Sequence, residues 1–212
     1  MRSLLDRILA TAIEQGGGLS VVALVHRLLL PSMWAAWVGY WWLRSRDVKT
    51  ASRHETLLSR LLHIVPLTLA GLLLWAPRAP LVPWLNARFV PEAETVFWGG
   101  TGLALAGFLF TVWAREHLGR NWSGTVTVKQ DHELIVAGPY AWVRHPIYTG
   151  LLLAFAGTAL ARGEWRGVLA VVIAWLALWR KLRLEERWME EQFGEQYQRY
   201  KQRVAALVPF VL

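Results

Sequence analysis

Apolar residues in this chain gather into five runs set apart by short polar stretches. They cover Leu19–Leu43, Leu57–Ala76, Val96–Ala114, Ile147–Ala161 and Val168–Trp179, the first interrupted by His26, Arg27 and Pro31. A helix needs about 20 residues to cross a bilayer, or about 17 at the short end. The first three runs meet that length. The fourth meets it if its helix starts near Tyr140, and the fifth if it extends from Trp165 to Leu184. Between those two lie Arg162, Gly163 and Glu164, so the pattern predicts a tight antiparallel hairpin. Ahead of the runs, Leu4, Leu5, Ile8, Leu9, Ala12 and Ile13 share one helical face, with Arg2, Asp6, Arg7 and Glu14 elsewhere on the wheel. Residues 1–18 therefore read as an amphipathic helix lying at a membrane interface. Without a small-residue cleavage site, the stretch reads against a signal peptide. The fold class expected is an all-α integral membrane protein of about five transmembrane helices, with this interfacial helix and a cytoplasmic C-terminal helical site. Its parts divide into residues 1–18, a three-helix scaffold over 19–114, and a C-terminal half over 115–212 with a helical hairpin and a polar tail.

Composition agrees with a membrane setting. Hydrophobic residues make up 55% and charged residues 18%, and mean hydropathy is +0.30. Fourteen tryptophans suit the headgroup belts of a bilayer. The net charge of +8 is accounted for by loop cations and anionic headgroups, so nucleic acid is not expected as a partner. With no cysteine, thiolate metal sites and thiol nucleophiles are excluded, and no metal is expected. Of the 23 Lys and Arg residues, 16 fall in Arg44–Arg60, Arg115–Arg144 and the tail after Trp179. The positive-inside rule puts those segments in the cytoplasm and the N-terminus outside, in an inner or plasma membrane. The Pro-rich connection Pro77–Pro91 then lies outside. His26 and Arg27 read as structural, since Pro31 kinks the helix nearby and arginine can snorkel to the headgroups. Gly99, Gly100, Gly102 and Gly107 offer a close-packing face, within the bundle or between chains; oligomeric state stays open.

Chemistry concentrates in two cytoplasmic segments. The first, ELIVAGPYAWVRHPIYTG, runs from Glu133 to Gly150. Gly138-Pro139 forces a turn that presents the Tyr140 ring. His145 precedes a proline and so avoids the helical region, while Pro146 suits the first turn of the next helix. That helix start, with Arg144 and His145, suits a carboxylate. Tyr148 follows three residues after His145 on the same face. Gly150 permits close approach of a backbone or ligand. Upstream, Thr125–Val128 alternates as a short extended segment. In the second segment the fifth run continues without a break into the charged tail, where Glu185 and Glu186 stand one turn past the membrane. A carboxylate there could hold an ammonium group opposite the His145 corner, an amino-acid clamp. The plainer alternative is a solvated helix laced with i,i+4 pairs.

At these residues the chain resembles a known family. GPYAWVRHPIYTG, then one apolar hairpin, then EERWMEEQFGEQYQRYKQRV and a Leu-Val-Pro ending resembles the isoprenylcysteine carboxyl methyltransferases. The related membrane phospholipid methyltransferases have a similar RHPxY…EE core. The likeness covers roughly Gly119 to Pro209. It implies S-adenosyl-L-methionine as cofactor, with S-adenosyl-L-homocysteine as product. By position it implies a cofactor site of His132, Glu133, Leu134, Ile135, Tyr140, His145, Pro146, Ile147, Tyr148 and Glu185, and Lys129, Arg144 and Glu186 are further candidates for the same site. It also implies that Lys181, where the eukaryotic enzymes have arginine, faces the acceptor's carboxylate, with Arg183 or Arg180 as substitutes. Arg120 and Asn121 are further candidates for positioning the acceptor. The family's Asn-His dipeptide is Ser123-Gly124 here.

The implied reaction is in-line methyl transfer from a sulfonium to a lipophilic acceptor drawn from the bilayer, most simply a carboxylate of the isoprenylcysteine type. The protein must align the two reactants and exclude water. A carboxylate acceptor needs no general base, whereas an amine or hydroxyl would lose a proton. Two rivals remain open on sequence. One is an NADPH-dependent sterol-type membrane reductase, which has a similar RHPxYxG segment but more spans and an Asp-Glu pair. The other is a catalytically silent membrane adaptor.

Overall fold

The structure, a computed structural model, describes residues 21–46, 51–75, 82–119, 122, 127–129 and 134–209. The expected interfacial helix over 1–18 lies outside the described residues. Helices form at all five apolar runs: α1 Val21–Arg44, α2 Leu57–Trp75, α3 Glu94–Leu118, α4 Pro146–Arg162 and α5 Trp165–Phe193. A short α6, Glu195–Arg203, follows. Strands β1 (Ala51–His54) and β2 (Thr127–Lys129) pair antiparallel, with Arg53 opposite Val128. This ribbon includes Thr127 and Val128 of the extended segment expected there, whose first two residues lie outside the described residues, and adds a small β element to the helices. Two compact units are distinguished, Met1–Val38 and Gly39–Leu212. In the first, α1 runs on through Pro31 without a break.

Within the second unit, α2 and α3 are long and apolar enough to cross a membrane. Their outward residues are large and aliphatic: Leu58, Val65, Leu72, Leu105 and Leu109 are all exposed. A row of that kind belongs against lipid rather than water. Pairings join the helices at both ends. β1 and β2 join the segments after α1 and after α3, and the Arg180 guanidinium donates to the Ser59 carbonyl at 3.0 Å. At the other end, the Phe89 amide donates to the Gly163 carbonyl at 2.8 Å and the Trp165 amide to the Ala87 carbonyl at 3.0 Å. The hairpin between α4 and α5 turns at Gly163, which takes a left-handed φ of 69°.

The fourth helix does not begin near Tyr140. Gly138–Ala141 forms a 3-10 turn after Gly138 (φ 61°), and His145 sits outside the helix at φ −124°. The Arg144 and His145 amides donate to the carbonyls of Ala205 and Ala206 at 2.8 and 3.1 Å. A backbone tied to the C-terminal tail cannot also wind into a helix, so α4 starts at Pro146 and has 17 residues.

Small residues bring α3 and α4 into backbone contact. Gly100, Ala104, Gly107 and Thr111 face Gly150, Ala154, Gly157 and Ala161, both rows at helical spacing. A Cβ placed on Gly107 would lie 2.5 Å from the Gly150 carbonyl oxygen, and one on Gly157 would lie 2.3 Å from the Ala104 nitrogen. Gly99 and Gly102 meet nothing within 4 Å, so within the glycine-rich face it is Gly100 and Gly107 that pack in the bundle. Gly107→Val should lower the thermal unfolding midpoint of detergent-purified protein by roughly 3–10 °C, from an overpacking cost of about 1–3 kcal/mol. Gly99→Ala should leave it unchanged; equal losses would contradict this packing.

Candidate functional site

Three segments converge at the end of the bundle that carries the ribbon: the Tyr140–Tyr148 stretch, the polar end of α5, and the tail after α6. Helical spacing on α5 puts Lys181 and Glu185 one turn apart, with Glu186 turned toward the tail. The Arg144 Nε donates to Glu186 Oε1 at 2.8 Å, and its Nη1 donates to the carbonyls of Lys201 (3.1 Å) and Val204. Lys201 Nζ stands 3.4 Å from Glu186 Oε2 and 2.7 Å from Glu190. Tyr200 donates its hydroxyl to the Tyr140 carbonyl at 2.6 Å, and Thr149 donates to the Leu207 carbonyl at 2.7 Å. The tail thus locks the loop ahead of α4.

His145 lies between the two carboxylates, with Nδ1 3.6 Å from Glu185 Oε2 and Nε2 3.4 Å from Glu186 Oε1. Its ring stacks on Tyr148 at 5.4 Å between centroids and an interplanar angle of 6°. This is the shared face that the three-residue spacing predicts. The Tyr148 hydroxyl donates to Glu185 Oε1 at 2.5 Å. Lys181 Nζ sits 3.9 Å from the same oxygen and 5.4 Å from the Tyr148 ring centroid. The two glutamates are not equivalent. Glu186 keeps 8% of its side chain exposed and is engaged by Arg144, His145 and Lys201, whereas Glu185 keeps 24%. Glu185 is the carboxylate with a face left for a ligand.

Of the residues expected from sequence, Tyr140, Arg144, His145, Pro146, Tyr148, Lys181, Glu185 and Glu186 come together here, with Ile147 packed against the apolar cluster of Tyr148, Leu178, Leu182 and Leu207. Leu134 and Ile135 are half-buried in the segment that leads to Gly138. Arg183 is not brought in: it is exposed, with its guanidinium 5.9 Å from the Trp179 ring. Arg180 is engaged at Ser59. Arg120, Asn121, His132 and Glu133 lie outside the described residues, and of Lys129 the backbone is described, in β2. Sequence reading passed over Glu55 and His63, a buried pair 3.5 Å apart on and just before α2. A lone histidine in an apolar run carried no motif, and the signal available was its spacing from Ala70 and Leu74 on the buried stripe.

Electrostatics tighten the corner. Burial opposes ionisation of Glu186, yet its bonds to His145 and Arg144 prevail and pull it from 4.5 down to about 2. Burial likewise opposes a charged His145, but the two carboxylates raise it above 6.5. Glu185 is lowered against its own burial by His145, Lys181 and Tyr148. The depressed Glu186 contributes stability above pH 4.5 that is lost as pH falls toward 2. The raised His145 contributes stability below pH 6.5 that is lost as pH rises through its shifted value. The thermal midpoint of detergent-purified protein should therefore peak between about pH 4.5 and 6.5. Glu186→Gln should lower that maximum and flatten the acid limb. An unchanged acid limb would show that Glu186 does not hold the corner.

Comparison with known proteins bears on this arrangement. Residues 95–196 match the phospholipid methyltransferase family model. Protein-S-isoprenylcysteine O-methyltransferase B of Arabidopsis thaliana is 29% identical over 129 residues, covering 58% of this chain and 66% of that one. The Mus musculus protein-S-isoprenylcysteine O-methyltransferase is 33% identical over 166 residues, covering 70% and 53%. Methanethiol S-methyltransferase 1 of Bradyrhizobium diazoefficiens is 38% identical over 72 residues, covering 34% and 24%. The solved structure of a eukaryotic intramembrane Ras methyltransferase, an isoprenylcysteine carboxyl methyltransferase, shares the fold at TM-score 0.53 and 23% identity, over 70% of this chain and 52% of that one. The chain covers between 24% and 66% of the length of these curated relatives. By its ordered RHPIY and Glu-Glu elements, by the fold they sit in and by these matches, the C-terminal half of the chain is similar to the isoprenylcysteine carboxyl methyltransferases.

Proposed function

We propose that the protein is an integral membrane methyltransferase that uses S-adenosyl-L-methionine to methylate a lipophilic acceptor, a carboxyl group of the prenylcysteine type. The observation that carries this reading is the cluster of His145, Tyr148, Lys181 and the partly open Glu185 at one end of an apolar bundle. The donor set suits the cofactor. A carboxylate with an accessible face answers an ammonium group, the start of α4 beside His145 answers a carboxylate, and the faces of Tyr140 and Tyr148 answer a sulfonium. When bound, S-adenosylmethionine supplies an already activated methyl group, with no metal required.

The chain's own residues then have separable tasks. Glu185 receives the cofactor, and His145 and Tyr148 fix Glu185 in place. Arg144, Glu186 and Lys201 hold the loop from behind rather than meeting ligand. Leu134, Ile135, Pro146 and Ile147 supply apolar walls. Lys181 orients the acceptor's carboxyl group, with Arg120 and Asn121 as further candidates. Five spans with the N-terminus outside place this end in the cytoplasm, open to a soluble cofactor, while the acceptor enters laterally from lipid. The catalytic half is 115–212, with 19–114 as scaffold.

Purified protein should bind S-adenosylhomocysteine by calorimetry, show no affinity for NADPH, and transfer labelled methyl from S-adenosylmethionine to N-acetyl-S-farnesylcysteine. Lys181→Met should raise the acceptor KM about 10–100-fold, as loss of a charged hydrogen bond does, while the cofactor KM stays within about threefold on the same grounds. Binding of NADPH in place of the adenosyl compound would overturn the reading.

A further inference from the structure

Arg183 is the basic residue that the site leaves out, and its surroundings on α5 form a pattern of their own. Between Val172 and Arg187, the exposed residues of α5 are Val172, Trp175, Leu176, Trp179, Arg183 and Arg187. They follow one another at helical spacing down a single face. That face is apolar as far as Trp179 and cationic beyond it. The order is that of a bilayer crossed from its hydrocarbon, through the aromatic belt, to its headgroups. Two residues turn a helix by about 200°, so Arg183 points away from Lys181 and from the site.

The side chains at the boundary are arranged rather than merely exposed. The Trp175 and Trp179 rings stack at 6.1 Å between centroids and an interplanar angle of 28°. The Arg183 guanidinium stands 5.9 Å from the Trp179 ring centroid. Arg187 Nε donates to the Arg183 carbonyl at 3.3 Å, which folds Arg187 back toward Arg183 and the apolar face. Like charges one turn apart on a helix repel, and water lies open to both side chains. An anion between the two guanidinium groups turns that repulsion into attraction. The next acidic residues along α5, Glu190 and Glu191, come one turn after Arg187, and Glu190 is held by Lys201 at 2.7 Å.

We propose that this face binds an anionic phospholipid, with its phosphate held by Arg183 and Arg187 and an acyl chain along Trp179, Leu176 and Val172. Guanidinium groups suit phosphate because their N–H donors match its oxygens in pairs. A soluble phosphate would meet the two cations alone, whereas a lipid also covers the apolar residues in line with them. The proposal rests on the membrane setting of the helices and is independent of the methyl-transfer reaction. It has a consequence for the site all the same. The helix that carries Arg183 on one side carries Lys181 and Glu185 on the other, so a bound headgroup fixes the depth at which those two stand in the leaflet.

The test titrates the full chain in detergent with dioleoylphosphatidylglycerol, dioleoylphosphatidylcholine or inorganic phosphate. Bound lipid is read by native mass spectrometry and the thermal midpoint on the same samples. Wild type should retain phosphatidylglycerol in preference to phosphatidylcholine and gain midpoint with it, since the ligand binds the folded state. Affinity for phosphatidylglycerol should fall about 5-fold in Arg183→Gln or Arg187→Gln and about 30-fold in the double variant, as the loss of one and of two cations facing an anionic headgroup requires. Arg183→Lys keeps the charge and should stay within about threefold of wild type. Arg199→Gln removes the same charge from an exposed position on α6 and should leave affinity unchanged. The midpoint without added lipid checks that each variant folds, and the single variants carry the test if the double does not. Equal retention of the two lipids, unchanged affinity in the glutamine variants, or an equal loss in Arg199→Gln would overturn the site. A midpoint gain with inorganic phosphate as large as with phosphatidylglycerol would overturn the lipid as its occupant.

Discussion

The structure depends on two adjacent carboxylates that face different ways. Consecutive residues on a helix stand about 100° apart, so Glu185 and Glu186 can serve separate neighbours from one turn. Glu186 is spent on Arg144, His145 and Lys201 and closes the loop, the α5 end and the tail into one unit. Glu185 meets Tyr148, His145 and Lys181 and keeps an open face. Glu186 thereby adds a charged tie to a loop whose backbone is otherwise met by the tail.

That division explains why the motif is spread over sixty residues. A polar site at the end of a lipid-embedded bundle must satisfy its backbone without a sheet. Here the amides of Arg144 and His145 are met by carbonyls of the tail, and Tyr200 caps the Tyr140 carbonyl. The close packing of α3 on α4 serves the same end. Backbone contact at Gly107 and Gly150 fixes the helix whose first turn carries Pro146 and Tyr148. The helix α2 is tied to α5 as well, since Ser59 accepts from Arg180 through its carbonyl and its hydroxyl.

Much of this was legible in the sequence, and the reasons differ residue by residue. His145, Pro146 and Tyr148 were readable because their arrangement is local: proline excludes helix before it and three-residue spacing sets the shared face. The hairpin around Gly163 followed from its three-residue length. The start of α4 was less legible, because the length a span needs points to Tyr140 whereas Gly138 and the proline signal point to Pro146. The two glutamates looked alike because their difference lies in Arg144 and Lys201, distant in sequence. Glu55 and His63 carry no motif, and their burial becomes visible only with the packing of α2 on α5. Arg183 was chosen by proximity in sequence, and helical phase turns it outward onto Trp179.

The most direct test of the account is a paired measurement on Glu185→Gln and Glu186→Gln, reading S-adenosylhomocysteine affinity and thermal midpoint on the same samples. The account predicts that Glu185→Gln weakens binding at least tenfold with little change in midpoint, the loss of one charged contact of about 1.5–3 kcal/mol. It predicts that Glu186→Gln lowers the midpoint, and that the ligand restores part of the loss by binding the folded state. The reverse pattern, with Glu185 setting stability and Glu186 setting affinity, would contradict it.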